Sequence, residues 1–368
     1  MITFLFYLPF LLLFVVLAVY GERKISAFIQ DRLGPMEVGY KGILQTVADL
    51  VKLLQKEDIV NKSADGLLFR LGPSVIFTMI FAGYAVVPLT SSVGGAGIET
   101  GVFFLLAIIS LDVIGILLAG WGSNSKFSLF GAMRSAAQII SYEIPLGLSV
   151  LCVVMMAQSL DLQEISIQQG IFINDLPGTA GRETHNYLFG ILKNVDITDT
   201  GGILSWNIMR MPLFVIVLIV FFIAGLSESN RAPFDIPEAE SELVGGYHTE
   251  YSGFRFAVVM LSEYGMMLLI CLLAAILFLG SWNTPFPNIG GLKLAEWTSG
   301  IPGTWAGNLW SAFWLLSKAI VLILVMMWVR WTYPRLRVDQ LMTVSWKYLT
   351  PAALIMIFIT GIWRIWMT

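Results

Sequence analysis

Charged residues are scarce in this chain: Asp, Glu, Lys and Arg make up 13% of its 368 residues, against roughly 25% in soluble proteins. Apolar residues make up 57%, and Phe, Trp and Tyr together 13%. A soluble domain has too little interior to bury so much apolar surface. The composition therefore excludes a water-soluble globular protein, a disordered chain and a collagen-like fibre, and it indicates a protein that spans a membrane several times.

Cysteine and histidine are also scarce, with two residues of each. Cys152 and Cys271 lie in apolar stretches about 120 residues apart, which excludes a disulfide framework, a Cys-x-x-Cys redox pair and a thiolate-bound iron–sulfur cluster. His185 and His248 lie outside the apolar stretches, so a bis-histidine haem between helices is excluded. The net charge of −3 gives no basic excess for nucleic acid. We expect no metal and no redox centre in this chain.

Eight stretches are long and apolar enough to cross a bilayer, for which a helix needs about 20 residues. They lie near residues 2–20, 71–89, 101–120, 144–160, 209–227, 256–280, 309–330 and 347–367. The predicted fold class is an all-α polytopic membrane protein, with a single integral membrane domain over residues 1–368.

Lys and Arg gather on one side of the predicted bundle. That side consists of the connections near 21–70, 121–143, 228–255 and 331–346. With the adjoining span edges, it carries 16 of the 22 basic residues, against 5 on the other side. The positive-inside rule places the basic side in the cytoplasm and both termini outside. We expect the protein in a bacterial inner membrane.

Two of the connections are long. Residues 21–70 contain an amphipathic stretch, which predicts a helix lying in the membrane interface. Its apolar positions are Ile43, Leu44, Val47, Leu50, Val51 and Leu54. Residues 161–208 form a long outer loop rich in Asn, Asp and Gly, with no pattern that indicates chemistry.

Acidic residues gather on the side where basic ones are expected. Segment 228–250 holds one basic residue, Arg231, and six acids, Glu228, Asp235, Glu238, Glu240, Glu242 and Glu250. Prolines, apolar residues and the Gly245-Gly246 pair interleave with these acids, which predicts a packed re-entrant turn lining a cavity. The ordinary alternative is a solvated acidic loop.

Three further acids, Asp112, Glu143 and Glu263, lie in or at the ends of predicted spans. An ionised carboxylate at mid-bilayer costs roughly 2.5–3.5 kcal/mol, so these groups are expected to face a protein interior or a water-filled cavity. Neighbouring carboxylates in such a cavity repel one another and hold shared protons. The ordinary alternative is a helix-end carboxylate paired with Lys or Arg, or hydrogen-bonded to Ser or Tyr.

Five blocks of the sequence carry a resemblance to a known family. They are GERKISAFIQDRLGP at 21–35, ADLVKLLQKED at 48–58, GWGSNSKFSLFGAMRSAAQIISYEIP at 120–145, ESNRAPFDIPEAESELVGGYHTEYSG at 228–253 and LSEYG at 261–265. With these blocks the chain resembles the H subunit of respiratory complex I, the proton-pumping NADH:quinone oxidoreductase. The mitochondrial counterpart is NADH dehydrogenase subunit one.

The resemblance implies a subunit at the heel of the membrane arm. Such a subunit contacts the other membrane-arm subunits and the peripheral subunits where quinone is reduced. Those peripheral subunits carry FMN and iron–sulfur clusters, whereas this chain binds no cofactor and has no direct catalytic residue; quinone is the substrate.

The resemblance also implies roles for individual residues. Polar residues of the quinone channel fall on Glu22, Arg23, Arg32, Asp49 and Lys52. The acidic coupling path falls on Glu143, Glu228, Asp235, Glu238, Glu240, Glu242, Glu250 and Glu263, with Arg134, Arg231 and Phe234 in support. Asp112 receives no role, and the connection 161–208 is longer than the family leads us to expect.

Two other functions stay open at this point. The chain is also compatible with the equivalent subunit of a membrane-bound hydrogenase or formate-oxidising complex, in which the quinone-channel roles would lapse. A stand-alone transporter predicts inverted repeats or paired broken helices near mid-membrane, and the sequence shows neither.

Overall fold

The computed structural model describes residues 2–92, 94–95, 97–171, 187–188, 192–193, 200–211, 213–237, 243–288 and 292–367. Helices make up most of these residues. They are α1 Ile2–Ile29, α2 Gln45–Gln55, α3 Gly66–Gly83, α4 Gly101–Gly122, α5 Lys126–Ala157, α6 Leu162–Ile167, α7 Asn207–Arg210, α8 Phe214–Glu228, α9 Gly253–Phe278, α10 Leu294–Ser299, α11 Trp305–Thr332, α12 Val338–Thr343 and α13 Thr350–Met367.

Short elements complete the description. A π-helical turn, Val344–Leu349, joins α12 to α13. Turns of 3₁₀ helix lie at Tyr40–Gly42, Gly202–Ser205 and Gly246–His248. Two strands of two residues each, β1 Tyr187–Leu188 and β2 Leu192–Lys193, pair antiparallel in the connection 161–208.

The predicted fold class is confirmed. Among the described residues, six helices are long and apolar enough to cross a membrane: α3, α4, α5, α9, α11 and the continuous helix from α12 through α13. Helix α8 is apolar but shorter, with 15 residues, and α1 coincides with the first predicted span. Each of the eight predicted spans thus falls on a helix, and the chain is an integral membrane protein.

Helix α5 is longer than hydropathy predicts. It begins at Lys126 and has 32 residues, whereas the fourth span was expected to begin near residue 144. The first half of the helix carries polar residues such as Ser128 and Gln138, which lower its hydropathy. Both side chains are buried against other parts of the protein. Most of the predicted connection 121–143 is therefore helix.

Helix α9 forms the centre of the bundle. Every residue from Tyr264 to Phe278 is buried, and α9 packs against α3, α8 and α11. Helices α3 and α4 pack closely through small residues: a Cβ added to Gly72 would lie 2.7 Å from Cα of Ala119. Small residues at such contacts let helix backbones approach one another in a membrane.

The connections predicted to be cytoplasmic meet at one end of the bundle. Arg255, at the start of α9, pairs with Asp58 after α2 at 2.8 Å. Arg335, after α11, pairs with Asp235 at 2.8 Å. Between these contacts, the whole of segment 227–237 is buried. The first part of the predicted re-entrant segment, 228–237, is therefore packed inside the protein.

At the opposite end of the bundle, the long connection 161–208 contacts α9 and α11. Gln169 donates to the carbonyl of Ile276 at 2.9 Å, near the end of α9. Lys318 of α11 donates to the carbonyls of Ser281 at 2.8 Å and Asn283 at 2.6 Å, with its ammonium 4.2 Å from the ring of Trp206. The described parts of this loop are thus ordered against the bundle.

Candidate functional site

A buried ionic cluster joins four parts of the chain. Glu22 of α1 is 6% exposed and accepts hydrogen bonds from the hydroxyl of Tyr264 at 2.6 Å and from Arg231 at 3.3 Å. Arg330 of α11 also pairs with it. The guanidinium of Arg231 lies 4.2 Å from the centre of the Tyr264 ring. We call Glu22, Arg231, Tyr264 and Arg330 the Glu22 cluster.

The charges of the Glu22 cluster do not cancel. Two guanidinium groups, those of Arg231 and Arg330, share the carboxylate of Glu22. A buried charge is tolerated only when it is paired and hydrogen-bonded. Guanidinium groups bond strongly to anionic or strongly polarised oxygen, so the cluster responds to a negative charge that appears nearby.

A second ionic contact joins α1 to α2. Arg23, the residue after Glu22, pairs with Asp49, whose other oxygen accepts from Gln45 at 3.1 Å. Both side chains of the pair are partly exposed. The α1–α2 junction thus brings Glu22, Arg23 and Asp49 into one region.

Two residues that the family resemblance assigns to the channel stand apart from these contacts. Arg32 is exposed and donates to the side chain of Gln30 at 2.6 Å. Lys52 is exposed on α2, one turn after Asp49. Within the part of the chain that the structure describes, neither bonds to the Glu22 cluster.

Helix α2 leaves its apolar face uncovered. Its side chains Val47, Leu50, Val51 and Leu54 are between 38% and 55% exposed, and Ile43 just before the helix is 47% exposed. An uncovered apolar face on a helix that also carries charged residues is typical of a helix lying in the membrane interface. The predicted amphipathic helix is therefore present.

A small cavity lies on the other side of the segment that carries Arg231. Its lining residues are Ile76, Ile80, Asp112, Ile116, Glu228, Ser229, Asn230, Tyr247, Glu263 and Met266. Three carboxyl groups, from α4, α8 and α9, thus face one space about the size of a water molecule. We call it the acid cavity.

The carboxyl groups of the acid cavity differ in their partners. Glu263 accepts from the hydroxyl of Tyr247 at 3.0 Å. Glu228 is 3% exposed and Asp112 6%. Among the described residues, neither oxygen of Glu228, nor Oδ1 of Asp112, has a hydrogen-bond partner.

Glu143 extends this group of acids toward α5. It bonds to the hydroxyl of Ser110 on α4 and interacts electrostatically with Glu228. Gln138, also on α5, donates to the carbonyl of Ser227 at 2.8 Å, which fixes α5 to the end of α8. The structure therefore brings the predicted residues Glu143, Glu228 and Glu263 together.

Other predicted coupling residues lie outside the acid cavity. Asp235 is buried and ion-paired to Arg335. Phe234 packs edge-on against Tyr142, with ring centres 5.2 Å apart. Glu250 and Arg134 are half-buried. The predicted coupling acids Glu238, Glu240 and Glu242 lie outside the described residues.

Sequence reasoning missed three members of these sites. Tyr264 and Arg330 belong to the Glu22 cluster, and Tyr247 bonds to Glu263. Tyr264 directly follows Glu263 in the LSEYG block, and Arg330 counted only as a charge at a span edge. Asp112 was recognised as an acid within a span, but it had no role.

His248, beside the acid cavity, predicts a pH dependence. Its ring lies between those of Tyr247 and Phe256, and burial lowers its pKa from 6.5 to about 4. Because the unfolded chain binds this proton more readily, stability is present above pH 6.5 and is lost as pH falls toward 4. Between pH 7 and 4 we expect the wild type to lose about 3 kcal/mol more than His248→Gln. Thermal dissociation of the purified complex measures this; equal losses in both would contradict it.

With this geometry in view, comparisons with known proteins assign the family. The NADH dehydrogenase family model matches residues 2–361. NADH-quinone oxidoreductase H subunit 2 of Cytophaga hutchinsonii is 56% identical over 369 residues, covering 100% of both chains. The H subunit of the Chlorobium luteolum enzyme is 50% identical over 95% of this chain and 84% of its own. That of Anaeromyxobacter dehalogenans is 40% identical over 95% and 78%. The chain belongs to the NADH dehydrogenase family, and it is a membrane subunit of the NADH-quinone oxidoreductase enzyme complex.

Proposed function

We propose that this chain forms the path by which quinone enters NADH:quinone oxidoreductase, and that it passes the charge change of quinone reduction into the membrane through the acid cavity. The observation that carries this proposal is the adjacency of the two sites. Glu228 of the acid cavity and Arg231 of the Glu22 cluster are three residues apart in one buried segment. On α9, Glu263 and Tyr264 are likewise adjacent members of the two sites.

The α1–α2 junction supports the entrance. The apolar face of α2 is uncovered, so a long apolar tail can slide along it from the bilayer. Charged side chains at the junction, among them Arg23 and Asp49, then meet the polar headgroup. Arg32 and Lys52 would stand at the mouth of this path, and Glu22 would lie deeper.

Electrostatics supports the coupling. A quinone that accepts two electrons becomes transiently anionic or takes protons from its neighbours, and either change alters the field at the Glu22 cluster. In a buried region of low dielectric constant such a change acts over several ångströms. Adjacent carboxyl groups there cannot all be ionised at once, so protons redistribute among Glu143, Glu228 and Glu263.

The remaining coupling acids extend this path in the proposal. Asp235 and Glu250, together with Glu238, Glu240 and Glu242, would carry protons between the quinone site and the acid cavity. Arg134 and Phe234 would support them.

The rest of the proposal concerns the complex and its membrane. FMN and iron–sulfur clusters in peripheral partner subunits would supply the electrons, and neighbouring membrane-arm subunits would complete proton translocation. The chain would lie in a bacterial inner membrane with both termini outside. The relatives named above are NADH-quinone oxidoreductase subunits, which favours this function over that of a hydrogenase component or a stand-alone transporter.

Arg23→Ala tests the entrance. In the proposal Arg23, positioned by Asp49, contacts the quinone headgroup; loss of one such hydrogen bond costs about 1 kcal/mol, so we expect the KM for quinone to rise about five-fold. Asp49→Ala should have the same effect, and the double variant should be no worse than either single one. Steady-state kinetics of the purified complex with a water-soluble quinone measures this.

Two controls make the result specific. NADH:ferricyanide activity, which reports the flavin-containing partners, should be unchanged. Lys56→Ala, which removes an exposed positive charge at the end of α2, should leave the KM unchanged. A joint fall of quinone and ferricyanide activities, or an unchanged KM in Arg23→Ala, would contradict the entrance.

A further inference from the structure

We propose that Asp112 is a proton-carrying residue of this subunit: its carboxyl group and that of Glu228 share one proton through a water molecule held in the acid cavity. This inference rests on the proposed function, because it names a further member of the coupling path. The family resemblance gives Asp112 no role, whereas its surroundings in the structure indicate one.

The position of Asp112 within α4 requires a partner. Its neighbour Leu111 is 40% exposed on the outside of the bundle, whereas Asp112 is 6% exposed and faces the interior. No basic side chain is among the described residues that line the acid cavity. An unpaired carboxylate in such a place is strongly destabilising, so the group must take up a proton or bind a polar ligand.

The acid cavity offers such a ligand a site. Oδ1 of Asp112 and both oxygens of Glu228 lack hydrogen-bond partners among the described residues, and both side chains line the same space. A buried water molecule needs two to four polar partners and about the volume that this cavity provides. Two carboxyl groups on opposite helices, α4 and α8, supply these partners.

The other acids facing this region are held differently. Glu263 of α9 is bonded to the hydroxyl of Tyr247, and Glu143 of α5 to the hydroxyl of Ser110. Within the described part of the chain, Asp112 and Glu228 have no such hydroxyl donor. The proton shared through the water molecule is therefore assigned to Asp112 and Glu228, which exchange it with the other acids of the path.

The proton transfer balances without any further reactant. The pair holds one proton and one negative charge. When the Glu22 cluster becomes less positive, the water accepts the proton of one carboxyl group and gives one of its own protons to the other. The total charge of the pair is unchanged, and the negative charge moves between α8 and α4.

Asp112→Asn in the assembled complex tests the inference, because it keeps the shape of the side chain and removes the titratable group. We expect NADH:quinone turnover to fall about three- to ten-fold with NADH:ferricyanide activity unchanged. The redox-induced infrared difference spectrum should lose a protonated-carboxyl band that Glu228→Gln also removes. Glu99→Gln, which alters an exposed acid just before α4, should change neither measurement.

Asp112→Glu provides the second variant, since it keeps a carboxyl group in the same place. It should retain most of the turnover and shift the infrared band. If Asp112→Asn fails to assemble, this shift shows whether Asp112 carries the proton.

Normal turnover and an unaltered band in Asp112→Asn, with both lowered in Glu228→Gln, would overturn the role of Asp112 and leave the proposed function intact. Normal behaviour of both variants would overturn both. Turnover that depends on sodium in the wild type but not in Asp112→Asn would show that the cavity holds a cation, and would also overturn the inference.

Discussion

Replacing Glu22 by Leu is expected to disrupt the assembled complex. The substitution leaves the buried guanidinium group of Arg231 and the partly buried one of Arg330 without their shared carboxylate. Breaking a buried ion pair from one side costs about 3–5 kcal/mol, because the remaining charge is uncompensated. We therefore expect less intact complex on native gels and a lower temperature of subunit dissociation.

A double variant separates charge from packing. In Glu22→Leu combined with Arg231→Leu, one excess charge is gone, so part of the lost stability should return. Glu37→Leu, at an exposed acid of the same connection, serves as the control and should behave like the wild type. A loss below about 1 kcal/mol in Glu22→Leu, the range of an exposed ion pair, would show that the Glu22 cluster is not a buried ionic centre.

Glu228→Gln is expected to lower quinone-linked turnover at least about ten-fold, which corresponds to about 1.4 kcal/mol in the barrier. The amide keeps the shape of the side chain but carries no titratable proton. The effect should exceed that of Glu143→Gln, since Glu143 is half-buried and held by Ser110. Stopped-flow and steady-state rates of NADH oxidation by quinone, normalised to assembled enzyme, measure this.

Two comparisons distinguish a loss of coupling in Glu228→Gln from a loss of assembly. Activity with ferricyanide should stay at the wild-type level in both variants. Glu296→Gln, an exposed acid paired with Lys293, should leave quinone-linked turnover unchanged. If Glu228→Gln turns over quinone at the full rate, the carboxyl group of Glu228 has no part in coupling.

The spans could be predicted because helices that cross a bilayer need a minimum length and a high hydropathy. Helices α4, α9 and α11 lie where the apolar stretches indicate. The start of α5 could not be predicted in the same way, because the Ser128 hydroxyl and the amide nitrogen of Gln138 donate hydrogen bonds to carbonyls inside the protein. A hydropathy scale scores a polar residue as loop-like whether its hydrogen-bond partner is water or another part of the protein.

The contacts within the Glu22 cluster and the acid cavity could not be predicted from the sequence. Glu22 bonds to Tyr264, 242 positions later in the sequence, and to Arg330, 308 positions later. A local sequence pattern does not predict contacts between residues so far apart in the chain. The resemblance supplied Glu22 as a channel residue but none of these contacts. Asp112 differs from Glu22, because its place in an apolar span marked it as unusual but no role followed from the sequence. The fold shows that it lines the same cavity as Glu228.

Part of the coupling path stays a prediction. Glu238, Glu240 and Glu242 were singled out from their density in the sequence, and they lie outside the described residues. Of the described residues on either side of this stretch, Asp235 and Leu243 are buried. The participation of Glu238, Glu240 and Glu242 in proton transfer is proposed on the same chemistry as that of Glu228.

The proton yield per NADH shows whether the acid cavity couples quinone reduction to proton movement. The measurement is NADH-driven acidification inside inverted membrane vesicles that carry Glu228→Gln, normalised to assembled enzyme and to NADH consumed. Our account predicts that acidification is lost or strongly reduced, while the electron-input reaction with ferricyanide continues. Full acidification per NADH at an unchanged rate would contradict it.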